Sequence, residues 1–172
     1  MSPAEHSADT EGKQGYLQIV NLFERLHRRL LDVVKAELDR LAVHDANNVQ
    51  ALIVFNIGSE EYSVGDLTQR GYYLGTNITY NLKKLSASGY IVQARSQHDR
   101  RAVRVRLTEK GIALYKAIDT LFADHAAALG GRVTAAMLGD ATQVMRALEQ
   151  SWNDSLARPD ARKAALASGR AD

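Results

Sequence analysis

The stretch 99–111, DRRAVRVRLTEKG, sets a turn with one acid and two arginines ahead of a basic alternating strand and a helix start. Val103, Val105 and Leu107 fall on one face of that strand, and Ala102, Arg104 and Arg106 on the other. A period of two marks a half-buried strand, here with a cationic solvent face beside a cationic turn. A basic hairpin tip of this kind suits the phosphate wall of a DNA groove. Thr108 reads as a helix N-cap, and Glu109 occupies the first turn, where the helix dipole favours an anion.

The charge distribution around this stretch supports the same reading. The 172 residues carry a net charge of +2, which conceals a marked asymmetry. Residues 1–62 hold six lysines and arginines against ten acids, residues 63–107 hold eight against two, and residues 108–172 hold eight of each. The basic excess is thus confined to a central block, as expected of a nucleic-acid contact surface. There are no cysteines, which excludes disulfides, thiol sensing and cysteine zinc sites. The N-terminus lacks the basic-then-apolar pattern of a signal peptide, and no segment has the roughly 20 consecutive apolar residues of a membrane span. A cytoplasmic protein without membrane contact is expected.

Working outward, residues 1–14 are polar and small and read as a flexible tail. From Tyr16 an apolar stripe runs through Ile19, Phe23, Leu26, Leu30, Val34, Leu38 and Leu41 in steps of three and four, one face of a long helix. Asp45 is expected to cap a second helix that ends at Gly58. Ser63 and Asp66 suggest a capping box for a short third helix stopping at Gly71. A fourth begins near Gly75 or Thr76, buries Ile78, Leu82 and Leu85, and ends at Ser88-Gly89 in a left-handed cap. Residues 90–95 and 102–107 form a β-hairpin. A fifth helix covers about 109–129, and a sixth carries Leu138, Met145, Leu148, Trp152 and Leu156. Residues 158–172 read as a frayed tail.

The order of four helices, hairpin and two helices resembles the MarR family of winged-helix regulators. The wing motif, D-x-R, five residues, then L-T-x-x-G, is carried by Asp99, Arg101, Leu107, Thr108 and Gly111. The run K-K-L-x-x-x-G-Y-I from Lys83 to Ile91 is similar to that family's passage from recognition helix to wing. The stretches LIVFNIG and RGYYLGTNITYNLKKL further resemble an alphaproteobacterial branch, the LdtR-type regulators linked to cell-wall remodelling. The fold expected is mainly α with a small β-hairpin wing. A winged helix-turn-helix lobe over about 45–108 sits within residues 15–157, with dimerisation helices over about 16–44 and 109–157.

The resemblance implies that the fourth helix enters the major groove. Thr76, Asn77, Thr79, Tyr80, Lys83 and Lys84 lie off its apolar seam. Short hydrogen-bonding side chains near the helix start reach base edges, and asparagine pairs naturally with adenine. Thr76 and Asn77 equally suit a plain helix start, and Tyr72-Tyr73 either stack on the DNA backbone or pack beneath the helix. In the wing, Arg101 is the position the family inserts into the minor groove, with Asp99 holding it by a charge-assisted pair. Arg95, Arg100, Arg104 and Arg106 would add phosphate contacts.

Pairing the terminal helices across a two-fold axis would give two reading heads for a near-palindromic double-stranded operator. Tyr16, Ile19, Met145, Leu148 and Trp152 are the dimer-contact candidates, although the last three equally suit an intrachain core. Family members often bind a small aromatic effector between arm and lobe. Phe23, His27, Val34, Leu52 and Phe55 are the candidates here, against the plain reading of an apolar cluster. The function expected is a homodimeric transcriptional regulator, a repressor released by an effector. Two other classes are weighed beside it. A winged helix used only for protein contacts would bind no DNA even at low salt. An enzyme is disfavoured, because no nucleophile-elbow, P-loop, zinc-protease or dinucleotide fingerprint occurs and the five histidines lack metal-ligand spacing. No cofactor or metal is expected.

Overall fold

The computed structural model describes the backbone of residues 3–71, 75–95 and 103–157, with side chains except at 3–11, 69–71 and 75–76. Tyr72, Tyr73, Asp99, Arg100, Arg101, Ala102, the side chain of Thr76 and the 158–172 tail therefore lie outside the described residues. The elements run α1 (Pro3–Arg40), α2 (Asn48–Ile57), β1 (Tyr62–Ser63), α3 (Val64–Gly71), α4 (Gly75–Ala87), β2 (Ile91–Arg95), β3 (Val103–Leu107), α5 (Glu109–Leu129) and α6 (Ala135–Ala157).

Helix α1 starts at Pro3 rather than emerging from a flexible tail near residue 15. Proline suits the first helical position because its missing N–H would be unpaired there anyway. The helix stops after Arg40 although no glycine follows. Ala42 takes φ +54° instead, its N–H donates to Asp39 O, and Val43 N–H reaches back to Leu38 O at 2.9 Å. That pair of bonds is a Schellman cap built on alanine, a residue that adopts the left-handed region only at a cost.

Helix α2 is capped by Asn47, not Asp45. Asn47 Oδ1 accepts from Gln50 N–H at 2.9 Å, and Gln50 Oε1 accepts from Asn47 N–H at 3.0 Å, a reciprocal box. The sequence reading stopped two residues early, and Asp45 proves to be occupied elsewhere. At the other end Gly58 takes φ +62° as the expected glycine cap. Helix α3 is capped as expected, with Asp66 N–H donating to Ser63 Oγ at 3.0 Å and Ser63 N–H to Asp66 Oδ2 at 3.1 Å.

The hairpin expected from sequence is part of a three-stranded antiparallel sheet in the order β1-β3-β2. Strand β1 was invisible beforehand because two residues carry no periodicity. Ile91 faces Leu107 and Gln93 faces Val105 across β2 and β3. Val105 and Leu107 point into the core with Val34 and Leu38 of α1, Ile53 and Val54 of α2, Ile78 and Leu82 of α4, and Leu114 and Ile118 of α5. Burying each such side chain is worth about 1.5–3 kcal/mol.

The chain divides into two compact units, residues 1–123 and 124–172. The first holds the sheet, α1 to α4 and most of α5. The second holds the end of α5, a 3₁₀ turn at Gly130–Arg132 and α6. Thr134 caps α6 by accepting from Met137 N–H at 3.2 Å, and none of the α6 side chains is buried. Among the described residues no helix is long and apolar enough to cross a membrane.

Candidate nucleic-acid interface

Helix α4 sorts its residues as the seam demands. Ile78, Leu82 and Leu85 are buried, and their steps of four and three leave Asn77, Thr79, Tyr80, Lys83 and Lys84 exposed. Tyr80 is 61% exposed, with Lys84 Nζ 5.8 Å from its ring centre. The helix therefore presents an amide, a hydroxyl, an aromatic and two ammonium groups to solvent, a surface able to contact base edges at one end and phosphates along its length.

The end of α4 is fixed with unusual thoroughness. Gly89 takes φ +78°, and the Gly89 and Tyr90 N–H groups donate to Ser86 O and Leu85 O at 3.1 and 2.9 Å, a Schellman cap. Thr108, directly after the neighbouring strand β3, binds this cap. Its hydroxyl donates to Gly89 O at 2.6 Å, its N–H donates to Tyr90 O at 3.0 Å, and its Oγ1 accepts from Gly111 N–H at 3.1 Å. Gly111 is obligatory at this crossing, because a Cβ there would overlap the Tyr90 carbonyl oxygen and meet Leu107 Cβ at 3.1 Å. The L-T-x-x-G motif is thus the joint between α4 and α5.

Asp45 closes the same joint from a third side. Tyr90, 2% exposed, donates its hydroxyl to Asp45 Oδ1 at 2.6 Å. Lys110 Nζ donates to Asp45 Oδ2 and, at 2.9 Å, to Ser88 O, while lying 4.2 Å from the Tyr90 ring centre. The Lys110 ammonium, then the Tyr90 hydroxyl, hold the Asp45 carboxyl below its usual range. Burial, and then Asp45 itself, push the Tyr90 phenol up. Neither Lys110 nor the Asp45 role was read from sequence. The signal available was an unmatched acid before α2 and a lysine inside the wing motif.

The wing's arginines do not share one face. Arg104 lies opposite Ala94 and Arg106 opposite Val92 on the outward side, whereas Arg95 lies opposite Val103 on the core-side face. Arg95 is nevertheless exposed, since the hairpin runs beyond the core at that end. The residue before β1 adds an unforeseen neighbour, with Glu61 Oε1 3.8 Å from Arg104 Nε. Both side chains are about half exposed, so the pair is worth at most about 1 kcal/mol and leaves Arg104 available to a phosphate.

The apolar candidates separate as well. Val34 is wholly buried in the core, Leu52 is half-buried, and Phe55 stacks on Tyr115 at 5.7 Å and meets Phe122 edge-on at 5.0 Å. Phe23 and His27 lie on the exposed stretch of α1. A shallow pocket of about 280 Å³ is lined instead by Lys35, Leu38, Asp39, Val43, His44 and the residues leading into α2. Tyr16, Met145 and Trp152 are more than a third exposed, with Ile19 and Leu148 half-buried.

Comparison with known proteins bears on this geometry. Residues 47–111 match the winged helix DNA-binding domain family. The exopolysaccharide II synthesis transcriptional activator ExpG of Rhizobium meliloti is 37% identical over 141 residues, covering 81% of this chain and 73% of ExpG. Streptococcus pneumoniae FabT, solved in complex with DNA, superposes with a TM-score of 0.65 at 18% identity, over 81% of this chain and 98% of FabT. An Escherichia coli MarR mutant complexed with operator DNA gives a TM-score of 0.63 at 18% identity, over 78% and 95%. At such identity the structural likeness is one of fold.

Proposed function

The chain belongs to the MarR family of winged-helix, DNA-binding transcriptional regulators, and from that premise we propose that two copies act as a homodimer on a near-palindromic operator. The observation that carries this reading is α4, whose exposed side holds Asn77, Thr79, Tyr80, Lys83 and Lys84 while its end is clamped to the sheet and α5. In this reading Thr76, Asn77 and Thr79 address base edges, Lys83 and Lys84 take phosphates, and Tyr80 packs on sugar or base. The turn residues Asp99 and Arg101 serve the minor groove, with Arg100, Arg104 and Arg106 on flanking phosphates.

One such lobe buries too little surface for tight specific binding, which favours a pair. The apolar side chains left on the surface support it: Leu22, Leu26 and Leu30 of α1, and Met137, Leu138 and Val144 of α6, are 38–53% exposed. Occupying promoter DNA would make the dimer a repressor. A second reading, activation, is favoured by the 37% identity to a transcriptional activator.

The test is fluorescence anisotropy on a duplex enriched by the protein from a randomised pool, with a scrambled control, at several salt concentrations. A preferred duplex with twofold sequence symmetry and a steep negative salt slope supports the proposal. Failure to bind at low salt overturns it, and a promoter–reporter assay then separates repression from activation.

A further inference from the structure

Helices α2 and α4 contribute to the same apolar core, Ile53, Val54 and Ile57 from one and Ile78, Leu82 and Leu85 from the other, through burial that is not directional. A directional polar contact joins the two helices as well. Gln50 of α2, only 7% exposed, donates from Nε2 to Asn81 Oδ1 of α4 at 3.3 Å. Asn81 in turn donates from Nδ2 to the Asn77 carbonyl oxygen at 2.8 Å, one helical turn back. Gln50 is not free to follow a moving α4, because its Oε1 is engaged by the Asn47 N–H in the α2 cap. A relay therefore runs from the start of α2, through Gln50 and Asn81, to the backbone of Asn77, one of the exposed side chains nearest the start of α4.

We propose that Gln50 and Asn81 are positioning residues for sequence reading: their amide contact sets the rotation of α4 and so aims Asn77 and Thr79 at the base edges. The inference rests on α4 being the DNA-reading helix. A buried amide beside an apolar surface is costly unless paired, so one rotation of α4 is singled out from its neighbours. Gln50 is buried in α2 and touches no DNA under this scheme. Replacing Gln50 also removes its cap bond to the Asn47 N–H, so the coupling with Asn81, not the single change, isolates the contact with α4. Phosphate affinity, set by charges that tolerate a small rotation, should be spared.

A double-mutant cycle on the wild-type chain, Gln50→Met, Asn81→Ala and the pair tests this, read as the ratio of affinity for the enriched duplex to that for the scrambled one. Thermal melting confirms that each variant is folded at the assay temperature. Each single change should lower the ratio about tenfold, roughly one base pair's discrimination, with scrambled-duplex affinity and salt slope unchanged. The double variant should be no worse than either single. An unchanged ratio, additive losses, or an effect of Asn81→Ala without one of Gln50→Met would overturn the relay. A wild-type chain that enriches no duplex would instead sink the operator-reading proposal on which the relay depends.

Discussion

Two stretches of similar composition in this molecule meet opposite fates. The described helices and strands between Asn48 and Ile118 bury most of their large aliphatic side chains, with Ile53, Val54, Val105 and Ile118 at no more than 1% exposure. Helix α6 is just as regular and carries Met137, Leu138, Val144, Met145, Trp152 and Leu156, yet buries none of them. An apolar stripe of period 3.6 specifies a helix in both cases but does not say whose surface it will meet. In the first region the partner is the same chain. In the second, the homodimer reading assigns it to another copy.

The sharpest way to break that contrast is to truncate one side chain from each region. Ile118→Ala should cost about 3 kcal/mol, since a fully buried aliphatic leaves a cavity behind. Met145→Ala should change unfolding of the separated protomer by less than about 0.5 kcal/mol. Denaturant melts at low protein concentration measure both, and sedimentation should show Met145→Ala, not Ile118→Ala, raising the dissociation constant of the dimer. Equal costs in the two melts would mean that α6 is covered within the chain. Gly111→Ala belongs with the core: overlap with the Tyr90 carbonyl should cost about 2–3 kcal/mol.

A smaller effect concerns α1, where core and exposed stripe share one helix. Ala42→Gly should stabilise by about 1 kcal/mol, because it relieves left-handed strain at the helix end and gives back part of that gain in unfolded-chain entropy. A melting temperature that falls would remove the strain from this cap. On the binding surface, Lys84→Gln should weaken enriched and scrambled duplexes alike and reduce the salt slope by about one phosphate's worth. A change in preference without a change in slope would recast Lys84 as a base reader.

Smallest is the pH effect of the clamp. The Asp45 carboxyl is held below its usual range by Lys110 and Tyr90, so its folded form binds protons less readily than the unfolded chain. That stability is present above the ordinary carboxylate range and is lost as pH falls through it toward the depressed folded value. Lys110→Met should therefore be less stable than wild type near neutrality, with the gap closing on acidification. Because Lys110 and Asp45 are about half exposed, salt should shrink the gap as well. A gap independent of pH would assign the loss to packing of the lysine stem on Tyr90.

Much of this was legible in the residues. The alternation from Val103 to Leu107, the Thr108 cap, the Ser63–Asp66 box and the glycines at 58 and 89 are local signals, each decided within a few residues of chain. Asn47 was missed as a cap because Asp45 offered equally good chemistry two positions earlier, and only Tyr90 and Lys110, 45 and 65 residues away, show where Asp45 is spent. Arg95 was grouped with Arg104 and Arg106 by charge, whereas the strand register puts it on the other face.

By itself, then, the sequence determined the order of the helices and the hairpin, most of the caps and the basic central block, because propensity, periodicity and charge act over short separations. Tertiary structure alone decided which polar groups meet across the lobe, namely Asp45 with Lys110, Gln50 with Asn81, and Gly111 against Tyr90. Those pairings depend on how elements distant in the chain pack, and no local pattern encodes a contact whose partner lies 31 or 65 residues away.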